Sequence, residues 1–221
     1  MIWNLGSLFT DPLSVLRELA YVIPVILISL TLHEWGHAYA AYRCGDPTAK
    51  NLGRLTLNPI AHIDPIGFLS LLLLGFGWAK PVPVNSRNFR NYKVGEAVVS
   101  LAGVTMNFLL VLLTSILLIV LGRVYPQAFS NDALMSILSY FLSLNVTLMV
   151  FNLIPVYPLD GYHVFELLSA RILPSKFFLF MRRYGYWILI ALLFLGNRFG
   201  FSPIGMVRSW VVRAINFFIL L

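Results

Sequence analysis

Long apolar segments separated by short polar ones dominate the chain. A helix needs about 20 mainly apolar residues to cross the hydrocarbon core of a bilayer. Five segments reach or approach that length: residues 19–42, 94–121, 133–156, 184–195 with the apolar residues before them, and 204–221. Arg208 and Arg213 interrupt the last segment, which predicts either a tilted span or a helix lying in the interface. The pattern therefore predicts an all-α polytopic membrane protein with five or six transmembrane helices.

A further apolar segment, residues 66–78, is too short for a helical span. Its 13 residues favour a re-entrant hairpin or a membrane-inserted pair of strands. If the segment returns to the side it came from and the N-terminus lies outside, eleven Lys and Arg residues fall in inside loops and three in outside loops, with Arg208 and Arg213 uncounted. A full span would place the first two basic loops on opposite sides. The charges therefore favour a short re-entrant hairpin after the first helix.

Composition and charge restrict the class of protein further. Hydrophobic residues make up 59% of the 221 residues, charged residues make up 11%, and the mean hydropathy is +0.81, whereas soluble chains carry roughly 25% charged residues. These values exclude a soluble enzyme, a disordered tail and a secreted disulfide scaffold. The single cysteine, Cys44, excludes an internal disulfide and a cysteine zinc cluster. The net charge of +7 is scattered between apolar segments, which indicates membrane topology rather than nucleic-acid binding.

The strongest chemical pattern lies near the end of the first predicted span and reads His33-Glu34-Trp35-Gly36-His37. Residues i and i+4 share a helix face, so both imidazoles can reach one metal ion, and Glu34 can act as a general base beside it. Charged groups persist in membrane helices mainly where they face an interior cavity and have a function. Histidines that merely end a helix at the interface would explain neither Glu34 nor Gly36. Glycine is costly inside a helix, and here it indicates close approach of another backbone or a ligand.

A catalytic zinc site has three protein ligands and one open position, so a third ligand is expected on another segment. The candidates are the acidic and histidine residues in or near apolar stretches: His62, Asp64, Glu96, Asp160, His163 and Glu166. Asp160 stands out, because Pro155 and Pro158 break the third long span just before it. Irregular backbone at membrane depth is tolerated where it packs in protein or lines a cavity, which favours Asp160 as the ligand. The alternative is a loop Asp that caps a helix beginning at Tyr162.

Two motifs together resemble one known family. HEWGH (residues 33–37) in one membrane helix and NLIPVYPLDG (residues 152–161) after a later one are similar to the motifs of the site-2 protease family of intramembrane zinc metalloproteases. Four further motifs resemble its compact prokaryotic branch: GDPT (45–48), GRLTLNP (53–59), HIDP (62–65) and AKPVPVN (79–85). The resemblance covers residues 26–164 and leaves no room for a PDZ or nucleotide-binding regulatory domain. Residues 1–221 are therefore expected to form a single membrane-embedded metalloprotease domain.

The resemblance implies one zinc ion per chain, held by His33, His37 and Asp160, with Glu34 as the general base. It also implies that Asn152 lies near the site, where its amide can hydrogen-bond the substrate backbone or the developing oxyanion.

One motif departs from the family pattern, which usually reads Ala-Gly-Pro with an Asn three residues after the Pro. Here Ala102, Gly103 and Val104 are followed by Asn107. The missing proline affects the expected kink in this helix and leaves the predicted metal ligands unchanged. Two roles stay open for Asn107: lining the active site, or an interhelical hydrogen bond.

The expected function is an intramembrane zinc endopeptidase that hydrolyses peptide bonds in or near transmembrane segments of substrate proteins. The expected partners are transmembrane protein substrates and the lipid bilayer, without nucleic acid, and the sequence leaves the substrate and the oligomeric state open. The expected location is a bacterial inner membrane, crossed several times, with the active site toward the cytoplasm. The alternative is a metal-binding membrane protein without proteolysis, either a pseudoprotease with a chaperone-like role or a transporter. Intact Glu34 weighs against it, since transport needs ligands but no adjacent base.

Overall fold

The computed structural model describes residues 10–74, 77–198 and 203–220 of the chain. In this described part the architecture is helical, and extended pairing is limited to one isolated β-bridge. The helices of the described residues, labelled in chain order, are α1 (Pro12–Cys44), α2 (Thr48–Asn51), α3 (Pro65–Leu74), α4 (Tyr92–Val124), α5 (Asp132–Asn152), α6 (Asp160–Ser169), α7 (Ser175–Arg198) and α8 (Pro203–Leu220). Short 3-10 helices lie in the connections at Pro59–Ala61, Ser86–Asn88 and Pro126–Ser130.

Helices α1, α4 and α5 are long and apolar enough to cross a membrane, which confirms a polytopic membrane protein. Each contains or overlaps a predicted span, and α1 and α4 extend beyond the prediction to 33 residues each. The three helices pack against one another in a bundle. Large apolar side chains on the outside of α4, such as Leu113 and Ile116, stay exposed, as a lipid-facing surface requires.

Local sequence sets both ends of α1. Asp11 caps the start, because its Oδ1 accepts a hydrogen bond from the N–H of Ser14 at 3.1 Å, and Pro12 occupies the first turn. Gly45 ends the helix with a φ of 110°, a left-handed conformation that favours glycine. Since the helix continues to Cys44, the whole HEWGH motif lies on regular helix, as its spacing predicts.

The short apolar segment at residues 66–78 begins as helix α3 rather than as a strand. Beyond α3 the chain comes back to its starting point, since Ile63 and Ala79 form an antiparallel bridge. The expectation of a strand pair is therefore wrong over the helix, whereas the two ends of the segment do lie side by side. Residues 75 and 76 of the segment lie outside the described residues.

The third long span ends earlier than predicted. Helix α5 stops at Asn152 rather than at residue 156, because prolines at 155 and 158 follow and proline lacks the N–H that a helix needs. The irregular turn ends at Asp160, the first residue of α6. Buried apolar side chains from the turn, α6 and α7 pack into one cluster: Val156, Leu159, Tyr162, Phe178, Met181 and Leu189. The predicted break is confirmed, and its packing fixes where α6 begins.

The last two predicted segments are both helical over their described residues, and residue 221 lies outside them. Helix α7 contains residues 184–195 and begins at Ser175, earlier than the apolar stretch alone. Helix α8 covers residues 203–220 and packs against α4 and α5. Its buried Ile215 joins an apolar cluster with side chains of those two helices.

Candidate metal centre

Three predicted ligands meet at one point between α1 and the start of α6. The available ligand atoms of His33, His37 and Asp160 all lie within 4.8 Å of one another. The Nε2 atoms of the two histidines are 3.1 Å apart. Asp160 Oδ2 lies 3.5 Å from His33 Nε2 and 3.4 Å from His37 Nε2. The fold thus places Asp160 beside the HEWGH motif of α1, although the two are far apart in the sequence.

Hydrogen bonds on the other side of each ring indicate which nitrogen faces the centre with a lone pair. His37 Nδ1 lies 2.8 Å from the carbonyl oxygen of Val99, and His33 Nδ1 lies 2.6 Å from Asn107 Oδ1. Both oxygens can only accept, so both Nδ1 atoms donate and both Nε2 atoms keep their lone pairs. Two lone pairs at 3.1 Å repel unless a proton or a metal ion lies between them. The arrangement fits a cation bound by nitrogen.

Asp160 completes that donor set. Among the described residues, its Oδ2 is buried and has no hydrogen-bond partner, a costly state for a carboxylate unless it binds a cation. Helix α6 begins at Asp160 itself with Leu159 as the capping position, so the alternative of an Asp that caps a helix beginning at Tyr162 is wrong. Two imidazole nitrogens and one carboxylate oxygen form a donor set typical of catalytic zinc sites.

Gly103 on α4 leaves space for an ion at this point. A Cβ at Gly103 would lie 2.6 Å from His33 Nε2 and would collide with His37 Nε2. The missing side chain therefore opens the volume in front of both nitrogens. Gly36 on α1 also faces α4, since a Cβ at Gly36 would lie 3.0 Å from the carbonyl oxygen of Ala102. The close approach of another backbone that Gly36 predicts is therefore confirmed.

Glu34 lies at the wall of a cavity of about 450 Å³ that the three ligands also line. Glu34 is only 8% exposed, and its Oε2 accepts a hydrogen bond from the backbone N–H of Val82 at 2.9 Å. The segment that carries Val82 borders the cavity, and Pro81 and Val84 are also part of the cavity wall. A carboxylate held in this way beside a metal site can exchange a proton with a bound water.

Asp46 anchors the segment that borders the cavity. Its Oδ2 accepts from the N–H of Asn85 at 2.7 Å, and its Oδ1 accepts from Asn88 Nδ2 at 2.8 Å and from the Thr48 hydroxyl. Burial alone would raise the pKa of Asp46, but these hydrogen bonds outweigh it and hold the pKa below its ordinary value. The GDPT and AKPVPVN motifs therefore contact each other.

Asn152 and Asn107 both lie near the centre. Asn152 lines the cavity and donates from Nδ2 to the carbonyl of Leu148 at 3.0 Å. Asn107 has the second of the two roles left open by its sequence, since it makes interhelical hydrogen bonds to His33 on α1 at 2.6 Å and to Asn145 on α5 at 2.8 Å.

The remaining candidate ligands have other contacts. His62 Nε2 lies 2.8 Å from the carbonyl oxygen of Thr56, and Asp64 Oδ1 accepts from the N–H at the start of α3 at 2.8 Å, which is a turn role. Glu166 pairs with Arg182, with oxygen–nitrogen distances of 2.8 and 2.9 Å.

Sequence reasoning missed part of the cavity wall. Glu96 and His163 form a pair with a distance of 3.3 Å between Oε1 and Nδ1, and both line the cavity. Each was a candidate ligand on sequence grounds, but the geometry places neither among the three converging ligands. No local pattern relates α4 to α6, so only the tertiary packing reveals this pair.

Comparison with known proteins identifies the family. The model of "Peptidase family M50" matches residues 121–196. A protein of Bacillus subtilis (strain 168) named "Putative zinc metalloprotease YwhC" is 44% identical over 154 residues, which are 68% of this chain and 70% of that protein. The chain belongs to peptidase family M50. This M50 peptidase is therefore a zinc metalloprotease of the site-2 protease type, as its motifs predict.

Other relatives of this M50 peptidase carry a similar name. "Putative zinc metalloprotease Rip2" of Mycolicibacterium smegmatis is 31% identical over 192 residues, 82% of this chain and 70% of that protein. The protein of that name from Mycobacterium tuberculosis is 32% identical over 171 residues, 75% of this chain and 63% of that protein. No solved structure matches the chain at a significant level.

Proposed function

We propose that His33, His37 and Asp160 hold the single zinc ion of this intramembrane peptidase and that Glu34 is its general base. The observation that carries the proposal is the convergence of two imidazole nitrogens and a buried carboxylate oxygen within 4.8 Å of one another. A zinc ion bound by this set would lower the pKa of a coordinated water toward ~7 and polarise the scissile carbonyl.

Glu34 moves the proton. It accepts a proton from the attacking water and returns it to the leaving amine. The N–H of Val82 holds Oε2 of the carboxylate at 2.9 Å, so Oε1 is the oxygen assigned to the water. Because Glu34 is buried, its carboxylate keeps a fixed orientation in the cavity wall.

Asn152 supplies a hydrogen bond to the developing oxyanion. Its amide nitrogen carries two N–H groups, and one of them bonds the carbonyl of Leu148 within α5 at 3.0 Å. That bond fixes the rotamer, and the second N–H is the donor assigned to the oxyanion in the cavity.

The substrates are transmembrane segments that unwind locally before cleavage. A transmembrane helix hides its carbonyls in intrahelical hydrogen bonds, so attack needs an extended stretch of substrate backbone. Residues 80–85 run along the cavity wall, and Val82 and Val84, two residues apart, both line the cavity. An unwound substrate adds to this edge as a β-strand. If Val84→Pro, which removes an edge N–H, cleaved a natural substrate as fast as Val84→Ala, the edge proposal would fail.

The topology proposed for this enzyme has five or six membrane spans in a single domain of residues 1–221. Residues 66–78 form the re-entrant hairpin, which the pairing of Ile63 with Ala79 supports. The location is a bacterial inner membrane with the active site toward the cytoplasm, since the excess of Lys and Arg lies in the loops on the side where α1 ends.

Zinc content tests the metal site. Detergent-purified wild-type protein should contain about one zinc per chain, whereas His37→Ala and Asp160→Ala should contain much less. His62→Ala is the matched control, because that histidine bonds a backbone carbonyl away from the centre. Zinc retained by Asp160→Ala would assign the third ligand elsewhere, and a metal-free wild type would favour a protein without proteolysis.

A further inference from the structure

A line of buried polar side chains runs from the metal centre into the helix bundle. Asn107 on α4, Asn145 on α5 and Ser29 on α1 are all 0% exposed. His33 Nδ1 and Asn107 Oδ1 are 2.6 Å apart, Asn107 Nδ2 and Asn145 Oδ1 are 2.8 Å apart, and Asn145 Nδ2 and Ser29 Oγ are 2.9 Å apart. Every link crosses from one helix to another. Polar groups at this depth in a membrane bundle are costly and mark function.

The direction of these hydrogen bonds is set at one backbone carbonyl. Asn145 Nδ2 also donates to the carbonyl oxygen of Phe141 at 2.9 Å, and a carbonyl oxygen can only accept. The nitrogen of the Asn145 amide must therefore face Phe141, which turns its Oδ1 toward Asn107. Asn107 then presents Nδ2 to Asn145 and Oδ1 to His33.

This orientation decides the tautomer of His33. With Oδ1 of Asn107 facing the ring, Nδ1 carries the proton and Nε2 keeps the lone pair that a metal ligand needs. A flipped Asn107 amide would place its NH₂ group against Nδ1 instead. The proton would then move to Nε2 and block the ligand position.

The two histidines differ in how their tautomers are held. His37 Nδ1 bonds the backbone carbonyl of Val99 at 2.8 Å, a group that cannot turn over. His33 bonds a side-chain amide, whose two ends differ and can exchange by rotation. Only His33 therefore needs a second group that keeps the amide from turning.

We propose that Asn145, held by Phe141 and Ser29, is a positioning residue that orients the Asn107 amide and thereby fixes the metal-binding tautomer of His33. The proposal rests on the zinc site proposed above. It assigns a role in metal binding to a residue whose hydrogen bonds go to Asn107, Ser29 and Phe141 and which does not itself line the cavity.

Zinc affinity of Asn145→Leu tests the proposal. Leucine has a similar size but gives Asn107 no acceptor, so the Asn107 amide is free to turn and the affinity should fall by about 10–100-fold. The measurement is competition between purified full-length protein and a chromophoric zinc chelator in detergent. Thr147→Val is the matched control on the same helix, because the Thr147 hydroxyl bonds only the Ser143 carbonyl in the described structure, and its affinity should stay at the wild-type value.

A second substitution separates orientation from packing. In Asn107→Asp/Asn145→Leu the carboxylate presents an oxygen at both ends, so its orientation no longer matters and the affinity should return to that of Asn107→Asp alone. The absorption spectrum of the cobalt-loaded proteins gives an independent readout, since the rescued variant should show the ligand-field bands of Asn107→Asp alone. A loss caused by poorer helix packing would not be reversed by this change.

If Asn145→Leu does not yield folded protein, Asn145→Thr replaces it. The threonine hydroxyl can donate to the Phe141 carbonyl, as the Thr147 hydroxyl donates to the Ser143 carbonyl. The shorter side chain then no longer offers Asn107 an acceptor. Wild-type zinc affinity in the Asn145 variant, or a loss that Asn107→Asp does not rescue, would overturn the proposal while the zinc site stands. A wild-type chain without zinc affinity would overturn the proposed function and this proposal together.

Discussion

Gly103 is the residue at which a single carbon atom decides whether an ion fits. Its Cα faces the Nε2 atoms of both His33 and His37 across the gap between α4 and α1. The sequence gives it as one residue of a motif that departs from the family pattern, without indicating what lies opposite. Its importance follows from the close packing of the two helices.

Gly103→Ala should therefore lose zinc while keeping the fold. The added Cβ occupies the volume between the two nitrogens, and zinc affinity should fall by at least about tenfold. Gly122→Ala is the control on the same helix, because the atoms nearest to a Cβ there belong to the side chain of Ile219 rather than to a histidine. Equal zinc content in Gly103→Ala and wild-type protein would contradict the proposed ion position.

Glu34→Gln should separate binding from catalysis. Glutamine keeps the shape of Glu34 but cannot accept the proton, so cleavage of a transmembrane substrate should fall by about 10²–10⁴-fold with zinc content unchanged. Product formation in reconstituted vesicles, beside zinc analysis of the same preparation, gives both quantities. Residual activity within a few-fold of wild type would assign the base to another residue.

At the element scale, one loop carboxylate holds the segment that borders the cavity. Asp46 connects the end of α1 to Asn85 and Asn88 through hydrogen bonds that keep its pKa low. A group whose pKa is lower in the folded state stabilises that state above its ordinary pKa and loses the effect as the pH falls through the folded value. Neutral pH is therefore where Asp46 contributes fully.

Asp46→Asn should destabilise the protein by about 1–3 kcal/mol at pH 7, since the amide replaces an acceptor that receives several hydrogen bonds. The difference in thermal midpoint between wild type and variant should shrink below about pH 4, as the pH falls toward the lowered pKa of the folded wild-type carboxylate. Asp132→Asn, at an exposed position in the first turn of α5, is the control and should change the midpoint little. A difference that is independent of pH would contradict the role of the charge.

Element boundaries follow the sequence closely where a local residue sets them. Gly45 ends α1, and the prolines after Asn152 end α5, because both act through the backbone of a few residues. Residues 66–78 are less predictable, since a short apolar run satisfies the period of a helix and of a strand alike. Their contacts with the rest of the protein decide for helix α3.

Across the whole molecule, the proposed metal ion joins α1 to α6, which are far apart in the sequence. Its ligands come from α1 and from the first residue of α6, after the irregular turn that follows α5. An ion that binds the folded state alone stabilises it by mass action, by about 4 kcal/mol at a thousand times its dissociation constant.

Chelation should therefore lower the thermal midpoint of the wild-type protein, and added zinc should restore it. His37→Ala should start at the lower midpoint and respond to neither treatment, because it lacks a ligand. The intrinsic tryptophan fluorescence of detergent-purified protein reports the transition. A wild-type midpoint that is insensitive to a strong chelator would contradict a metal that joins α1 and α6.

The sequence by itself determined the membrane class, the three helices long and apolar enough to cross a membrane, the break before Asp160 and the set of residues proposed to bind zinc. All of these depend on local composition, on the helical period or on proline chemistry, which a linear pattern records. Only the tertiary structure decided that Asp160 reaches the two histidines, that Gly103 leaves room between them, and that Asn145 orients Asn107. Those facts depend on which faces of α1, α4, α5 and α6 meet, and helix packing in a bundle is set by many side chains far apart in the sequence.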